Sequence, residues 1–167
     1  MLIPIIVCGA IVTAVLVVLA AGSMLPESHQ ASVNRRLAAS PEAVWAALTD
    51  LEGQVHWRKD LQSIKVLGQD PVRWVETMKM GEVPMRIDRT EAPALLVTRI
   101  DSDDLPFGGT WTFNVAPDGQ GSNVTITEDG FVKPPLFRFL SKYVFGHDKT
   151  LNGFADSLVS KFGEAVG

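Results

Sequence analysis

Hydrophobic and polar residues are distributed in three different ways along the chain, and each distribution predicts a different kind of element. Residues 2–21 are almost entirely aliphatic or small, and no charged side chain occurs before Glu27. About 20 apolar residues in a helix span about 30 Å, which is the thickness of a bilayer core. The pattern predicts a transmembrane anchor over residues 1–25, followed by a short polar linker over residues 26–32.

A cleaved signal peptide is the competing interpretation of this segment. Signal peptides carry a basic stretch before a shorter apolar core, whereas no Lys or Arg precedes this apolar run, although small residues at 20–23 could form a cleavage site. The retained anchor is therefore favoured. Because Arg35 and Arg36 follow the run, the positive-inside rule favours a single-pass protein of the cell membrane with its soluble domain in the cytoplasm.

The stretch SPEAVWAALTDLEGQVHWRKDL, residues 40–61, has the marks of a helix start. Ser40 is a favoured N-cap and Pro41 suits the first helical position. Apolar residues then recur at helical spacing until a Thr-Asp pair, and a second short element reaches Trp57. The pattern predicts two brief helices with a sharp junction, preceded by a first strand over residues 33–39.

Residues 61–132 change to the alternating pattern of strands. Clusters of Gly, Pro and Asp separate apolar-alternating runs at intervals of about 10–12 residues, which predicts an antiparallel meander of hairpins. The runs are SIKVLG, RWVETMKM, VPMRIDRTE, LLVTRIDS, GTWTFNVA and SNVTITEDGFV. From Pro134 the apolar spacing is helical again, which predicts a C-terminal helix of about 28 residues with a bend or interruption at Gly146.

This order of elements resembles the START/SRPBCC superfamily, and within it the polyketide cyclase/dehydrase and lipid-transport-like group. In that superfamily a Ser/Asp-Pro-Glu-x-Val-Trp motif leads from the first strand into the first short helix, and a Trp closes the second. The residues that match are Pro41, Val44, Trp45 and Trp57. The resemblance covers about residues 30–165, and the domain is predicted at residues 33–165. It implies an α+β helix-grip fold, in which a curved antiparallel sheet of about seven strands wraps a long C-terminal helix.

The helix-grip fold implies an elongated apolar pocket between the sheet and the C-terminal helix. Residues two apart on a strand share a face, and the face of RWVETMKM with Trp74 and Met78 is the better candidate for the pocket. Methionines and aromatic residues suit an adaptable apolar ligand, and an ordinary filled core is the competing interpretation. The predicted ligand-binding residues are Trp45, Trp57, Trp74, Met78, Met80, Met85, Trp111, Phe113 and Phe154.

Few polar residues suggest catalysis. Glu76 lies between two residues of the predicted pocket face and is a weak candidate for a general acid or base. Exposure, or an ion pair with Arg86 or Arg99, is the competing interpretation. His56 and Asp60 are expected on a solvated rim, and the pair His147-Asp148 is expected to serve as a helix cap.

Composition narrows the classes of partner. A net charge of −4 and a pI near 5.3 argue against nucleic acid, which requires a concentrated basic face. The single cysteine, Cys8, cannot form an intramolecular disulfide. The three histidines are scattered and form no metal motif. No glycine-rich phosphate loop is present. Because the sequence contains neither a metal motif nor such a loop, neither a metal nor a cofactor is predicted.

The leading hypothesis is a membrane-anchored binding or carrier protein for a hydrophobic small molecule, either lipid-like or polyketide-like. Two alternatives stay open. One is an enzyme of the polyketide cyclase/dehydratase type, and the other is an accessory subunit of a membrane complex, whose partners would be other membrane proteins.

Overall fold

A computed structural model describes residues 2–79, 81–146 and 148–165. The helices are α1 (Leu2–Ser23), α2 (Pro41–Thr49), α3 (Pro135–Leu140) and α4 (Lys149–Phe162). The strands are β1 (Ser28–Leu37), β2 (Leu61–Gln69), β3 (Val72–Met78), β4 (Gly81–Glu91), β5 (Leu95–Ile100), β6 (Phe107–Asp118) and β7 (Gly121–Val132). A 3₁₀ helix spans Glu52–His56, and a π-helical turn spans Ser141–Phe145.

The seven strands form one antiparallel sheet in the order β1-β7-β6-β5-β4-β3-β2. Strands β2 to β7 are a meander, in which each strand pairs with the next one along the chain. Strand β1 pairs with β7, so the first and last strands of the domain are neighbours. This arrangement, with a helix at the C-terminus, fits the predicted α+β helix-grip fold.

The first strand begins earlier than the sequence pattern predicts. Ser28 already pairs with Phe131, and the strand continues without interruption to Leu37. Residues 28–32, expected to form part of a linker, therefore belong to the sheet. Apart from Ala31 they are polar, and they alternate between exposed and half-buried positions. An edge strand tolerates this pattern because only one of its sides is paired and one of its faces can stay in water.

The core lies where α2 and α4 pack against the sheet. Helix α4 buries Leu151, Phe154 and Leu158, and α2 buries Val44 and Leu48. The start of α2 is as predicted, because Pro41 opens the helix and the Ser40 side chain accepts a hydrogen bond from the Ala43 amide at 3.4 Å. This cap fixes the residue at which α2 begins.

The C-terminal helical region is interrupted rather than continuous. Helix α3 passes into the π-helical turn, and Gly146 then adopts a φ of 76°, which is unfavourable for residues with a side chain. Gly146 is therefore the site of the predicted interruption. His147 lies outside the described residues. Asp148 stands at the N-cap position of α4, but its side chain makes no capping hydrogen bond to the backbone and instead accepts one from the side-chain amide of Asn152 at 3.0 Å.

Helix α1 is attached to the domain through its C-terminal end. A Cβ atom on Gly22 would lie 2.0 Å from the carbonyl oxygen of Pro135, so the two helices meet backbone to backbone. Just beyond the helix, the Arg138 guanidinium donates to the carbonyl of Leu25 at 2.8 Å. The part of the chain that the structure describes contains no helix with the length and apolar character needed to cross a membrane. The predicted transmembrane anchor is not supported.

Replacing Leu158 by Ala tests the position of the core. Leu158 is fully buried under the sheet, so Leu158→Ala should lower the free energy of unfolding by about 2–5 kcal/mol. Leu67→Ala is the matched control, because Leu67 is 56% exposed and its loss should cost at most about 0.5 kcal/mol. Urea titration followed by circular dichroism measures both values, and equal losses would contradict the packing of α4.

Candidate ligand-binding cavity

A cavity of about 380 Å³ lies between the inner face of the sheet and α4. Its volume falls within the range of small-molecule sites, about 300–1,000 Å³. Most of the lining is aliphatic, aromatic or methionine, as ligand sites for apolar molecules require. The apolar side chains that line it are Leu48, Leu51, Trp74, Met78, Val83, Met85, Ile87, Leu96, Ile100, Leu105, Phe107, Trp111, Phe113 and Phe154.

Strand parity places these side chains on one face. On β3 the inner face carries Trp74, Glu76 and Met78; on β5 it carries Leu96, Thr98 and Ile100. Strands β4 and β6 follow the same period of two, except that Glu82 near the start of β4 also lines the cavity, and the faces agree with those that the sequence pattern indicates. The lining is thus a direct consequence of alternation in four adjacent strands.

The structure brings together most of the predicted ligand-binding residues. Those that line the cavity are Trp74, Met78, Met85, Trp111, Phe113 and Phe154. Trp45 and Trp57 do not line it, and both instead pack against the buried core as half-buried side chains. Met80 lies outside the described residues. Binding by any of these residues stays a prediction.

Phe154 of α4 joins the helix to the cavity wall. Its ring contacts Trp111 and Phe113 of β6 at centroid distances of 5.7 and 5.3 Å, and Trp57 at 5.5 Å. The Trp57 and Trp111 contacts are edge-to-face, the geometry that aromatic quadrupoles favour. Trp57 therefore supports the cavity from behind Phe154.

The floor of the cavity contains a buried ion pair between Arg58 and Glu76. The two side chains form a bidentate pair with both nitrogen-to-oxygen distances at 2.9 Å, and each side chain is only 6% exposed. Arg58 also donates to Asp60 at 2.6 Å and to the Gln54 side chain at 2.9 Å. Glu76 accepts a further bond from the Trp74 indole at 3.1 Å.

The guanidinium of Arg58 stays charged in this environment. Burial acts to lower the pKa of Arg58, but the hydrogen bonds and negative charges of Asp60 and Glu76 outweigh burial, so the pKa is raised above its ordinary value. The Phe154 ring adds a cation–π contact at 4.8 Å. The Arg58 network is the hydrogen-bonded cluster of Arg58, Glu76, Asp60, Gln54 and Trp74.

This network corrects the ion-pair partner that the sequence predicted for Glu76. Glu76 does form an ion pair, but its partner is Arg58 rather than Arg86 or Arg99. Arg86 and Arg99 instead bind Asp88, at 2.7 and 2.6 Å, and none of the three lines the cavity. The parity of β4 and β5 explains the difference, because Arg86 and Arg99 point away from the inner face that Glu76 occupies.

Sequence reasoning missed Arg58 because it lies in a stretch of charged residues. His56 and Lys59 beside it are exposed, and the Asp60 side chain is partly exposed, so the expected solvated rim holds for these neighbours. One signal was available. Arg58 lies three residues before Leu61, where β2 begins, and Leu61 lies opposite Met78 of β3. The cation therefore enters the sheet close to the inward-facing Glu76.

Exposed lining residues mark the mouth of the cavity. Glu82, Phe107 and Thr150 line it and are exposed to solvent. Deeper on β7, Glu128 lines the cavity and approaches His29 of β1 at 4.0 Å. Burial lowers the pKa of His29, which favours its neutral form at neutral pH.

Across the described ranges, no group of three or more His, Cys, Asp or Glu residues could hold a metal ion.

The fold and the cavity define a helix-grip protein with an apolar site that opens to solvent. Comparison with family sequence profiles matches residues 28–159 to the family described as polyketide cyclase/dehydrase and lipid transport. This match covers most of the chain, and the chain belongs to that family. Comparison with curated proteins gave no match.

Solved structures show the same fold at low sequence identity. A START superfamily protein from Mycobacterium smegmatis is 19% identical, with a TM-score of 0.66, and the match covers 80% of this chain and 97% of that one. Truncated norcoclaurine synthase from Thalictrum flavum is 14% identical, with a TM-score of 0.64 and coverage of 80% and 92%. The same synthase has been solved in complex with dopamine and hydroxybenzaldehyde, at a TM-score of 0.63, with 14% identity and coverage of 80% and 86%.

Breaking the ion pair from one side should destabilise the fold. Arg58→Met leaves the Glu76 carboxylate buried without its cation, so the free energy of unfolding should fall by about 3–5 kcal/mol. The double variant Arg58→Met/Glu76→Leu should recover most of this loss, because it removes both charges from the interior. Chemical denaturation monitored by tryptophan fluorescence measures each value.

Arg89→Met is the control for removal of an arginine. Arg89 pairs with Glu91, and both side chains are more than half exposed, so its loss should cost about 0–1 kcal/mol. A similar loss for Arg58→Met and Arg89→Met would show that the buried pair has no special role.

Proposed function

We propose that this domain binds a hydrophobic small molecule in the cavity between the sheet and α4. The observation that carries the proposal is the cavity itself, an apolar space of about 380 Å³ beside the hydrophobic core. Protein interiors contain few voids larger than a water molecule, so an apolar space of this size favours an occupant. Membership in the polyketide cyclase/dehydrase and lipid transport family supports the same function.

Fluorescence of Nile red, an uncharged apolar dye, tests the proposal. The dye should bind to the full chain with saturable emission. Helix α1 presents exposed apolar side chains, among them Ile11 and Leu16, so the site must be located with variants. Val83→Trp places a large ring on the cavity wall and should weaken dye binding by about tenfold or more, a loss of about 1.4 kcal/mol.

Val97→Trp is the matched control for this substitution. Val97 lies on β5 between Leu96 and Thr98 and does not line the cavity, so its indole is carried by the opposite face. The control should bind the dye as the unmodified protein does. Equal binding by both variants would place the dye outside the cavity, and native mass spectrometry that recovers no bound molecule would add to the case against the proposal.

Catalysis is the second candidate function, and one observation favours it. Arg58 and Glu76 converge on the cavity floor, and further carboxylates, Glu82 and Glu128, line the same space. An enzyme of the cyclase or dehydratase type needs positioned groups of this kind to move protons. The norcoclaurine synthase neighbours, which are similar to this chain in fold, are named as enzymes.

Recovered ligand masses separate the carrier from the enzyme. Glu76→Gln keeps the shape of the side chain but removes its ability to act as an acid or base. If Glu76 acts in catalysis, the molecules that co-purify with the variant should differ in mass from those that co-purify with the unmodified protein, because substrate accumulates in the variant. Identical masses in the two samples would favour the carrier.

A further inference from the structure

The cavity wall carries an excess of negative charge. Among the described residues that line it, Arg58 is the only lysine or arginine, and three glutamates, Glu76, Glu82 and Glu128, share the same lining. Asp60 stands behind Arg58 and adds another carboxylate to its network. An apolar site lined in this way opposes a ligand that brings a further negative charge into it.

Arg58 has no donor left for a ligand. A guanidinium has five N–H groups, and all five of these are engaged. The Nε group donates to Asp60, Nη1 donates to Gln54 and Glu76, and Nη2 donates to Asp60 and Glu76. A carboxylate ligand would have to displace one of these partners before it could bind the one cation in the described lining.

Glu76 retains capacity to accept. A carboxylate offers about four acceptor positions, and Glu76 uses three. Its Oε1 accepts from Arg58 and from the Trp74 indole, whereas its Oε2 accepts from Arg58 alone. The open position is on a carboxylate that lines the cavity floor, so the polar group that the floor can satisfy is a hydrogen-bond donor.

We infer, resting on the proposed function, that the cavity takes apolar molecules whose polar group donates a hydrogen bond, such as alcohols and amines, and excludes anionic amphiphiles such as fatty acids. The donor binds Glu76, and the apolar body lies against the methionine and aromatic wall. The bidentate Arg58–Glu76 pair keeps the acceptor in place, and it withholds the guanidinium from anions.

Three probes of equal chain length test this selectivity: decanol, decylamine and decanoate. Each competes with Nile red for the full chain at neutral pH and physiological ionic strength. Decanol and decylamine should displace the dye, and decanoate should bind at least about tenfold more weakly, because one unit charge near the carboxylates is worth 1.4 kcal/mol or more. Decanoate that binds as tightly as the other two, or failure of all three to displace a bound dye, would overturn the inference.

This design separates the inference from the proposed function. If Nile red does not bind in the cavity, the proposed function fails and the inference fails with it. If the dye binds there and decanoate competes as well as decanol, the proposed function stands and the inference alone is wrong.

A variant tests the role of Glu76 directly. Glu76→Gln removes one negative charge from the Arg58 network, so the preference for decylamine over decanoate should shrink by about tenfold. Glu91→Gln is the control, because Glu91 is exposed at the end of β4 and does not line the cavity, and it should leave the preference unchanged. An unchanged preference in Glu76→Gln would show that Glu76 does not set the selectivity of the cavity. If Glu76→Gln does not fold, the comparison of the three probes on the unmodified chain still decides.

Discussion

The buried guanidinium of Arg58 constrains the parts of the structure that meet at the cavity floor. A charge taken out of water is costly unless its hydrogen bonds are all made and an opposite charge lies close. Arg58 meets this requirement with partners from three places: Gln54 in the 3₁₀ helix, Asp60 before β2, and Glu76 on β3. Its contact with the Phe154 ring extends the same network to α4.

The network also explains how one cavity can be apolar and still carry a charged pair. Because Arg58 and Glu76 neutralise each other at 2.9 Å, the floor presents an acceptor without presenting a free cation. The wall above it is built from strand alternation and from the aromatic cluster around Phe154. The shape of the cavity therefore comes from the sheet and α4, whereas the polarity of its floor comes from the Arg58 network.

Local patterns were sufficient to predict most of the fold. The Ser40-Pro41 helix start and the alternation of six strands each depend on residues close together in the chain. The same alternation predicted which side chains of β3 to β6 share a face. The start of β1 at Ser28 was missed because its polar residues are stabilised by pairing with β7, about a hundred positions away, which no local window detects.

The polar part of the site was harder to predict, for a related reason. Glu76 was placed on the correct face, but Arg58 was hidden among exposed charges. Its burial depends on the packing of the 3₁₀ helix against β2 and on the ion pair with Glu76 of β3. Trp45 and Trp57 have the composition of a pocket wall, yet they pack against the core. The residue types of Trp45 and Trp57 indicate an apolar environment, but they do not distinguish a position on the cavity wall from one in the packed core.

A crystal structure of the full chain with decanol tests the central claim most directly, namely that the cavity floor accepts a hydrogen bond from an apolar ligand. The hydroxyl oxygen should lie about 2.5–3.0 Å from the Oε2 atom of Glu76, with the Arg58–Glu76 pair intact. The alkyl chain should lie against Met78, Met85 and Trp111. A ligand bound along α1, or one whose hydroxyl points to the mouth with Glu76 left uncontacted, would contradict the account.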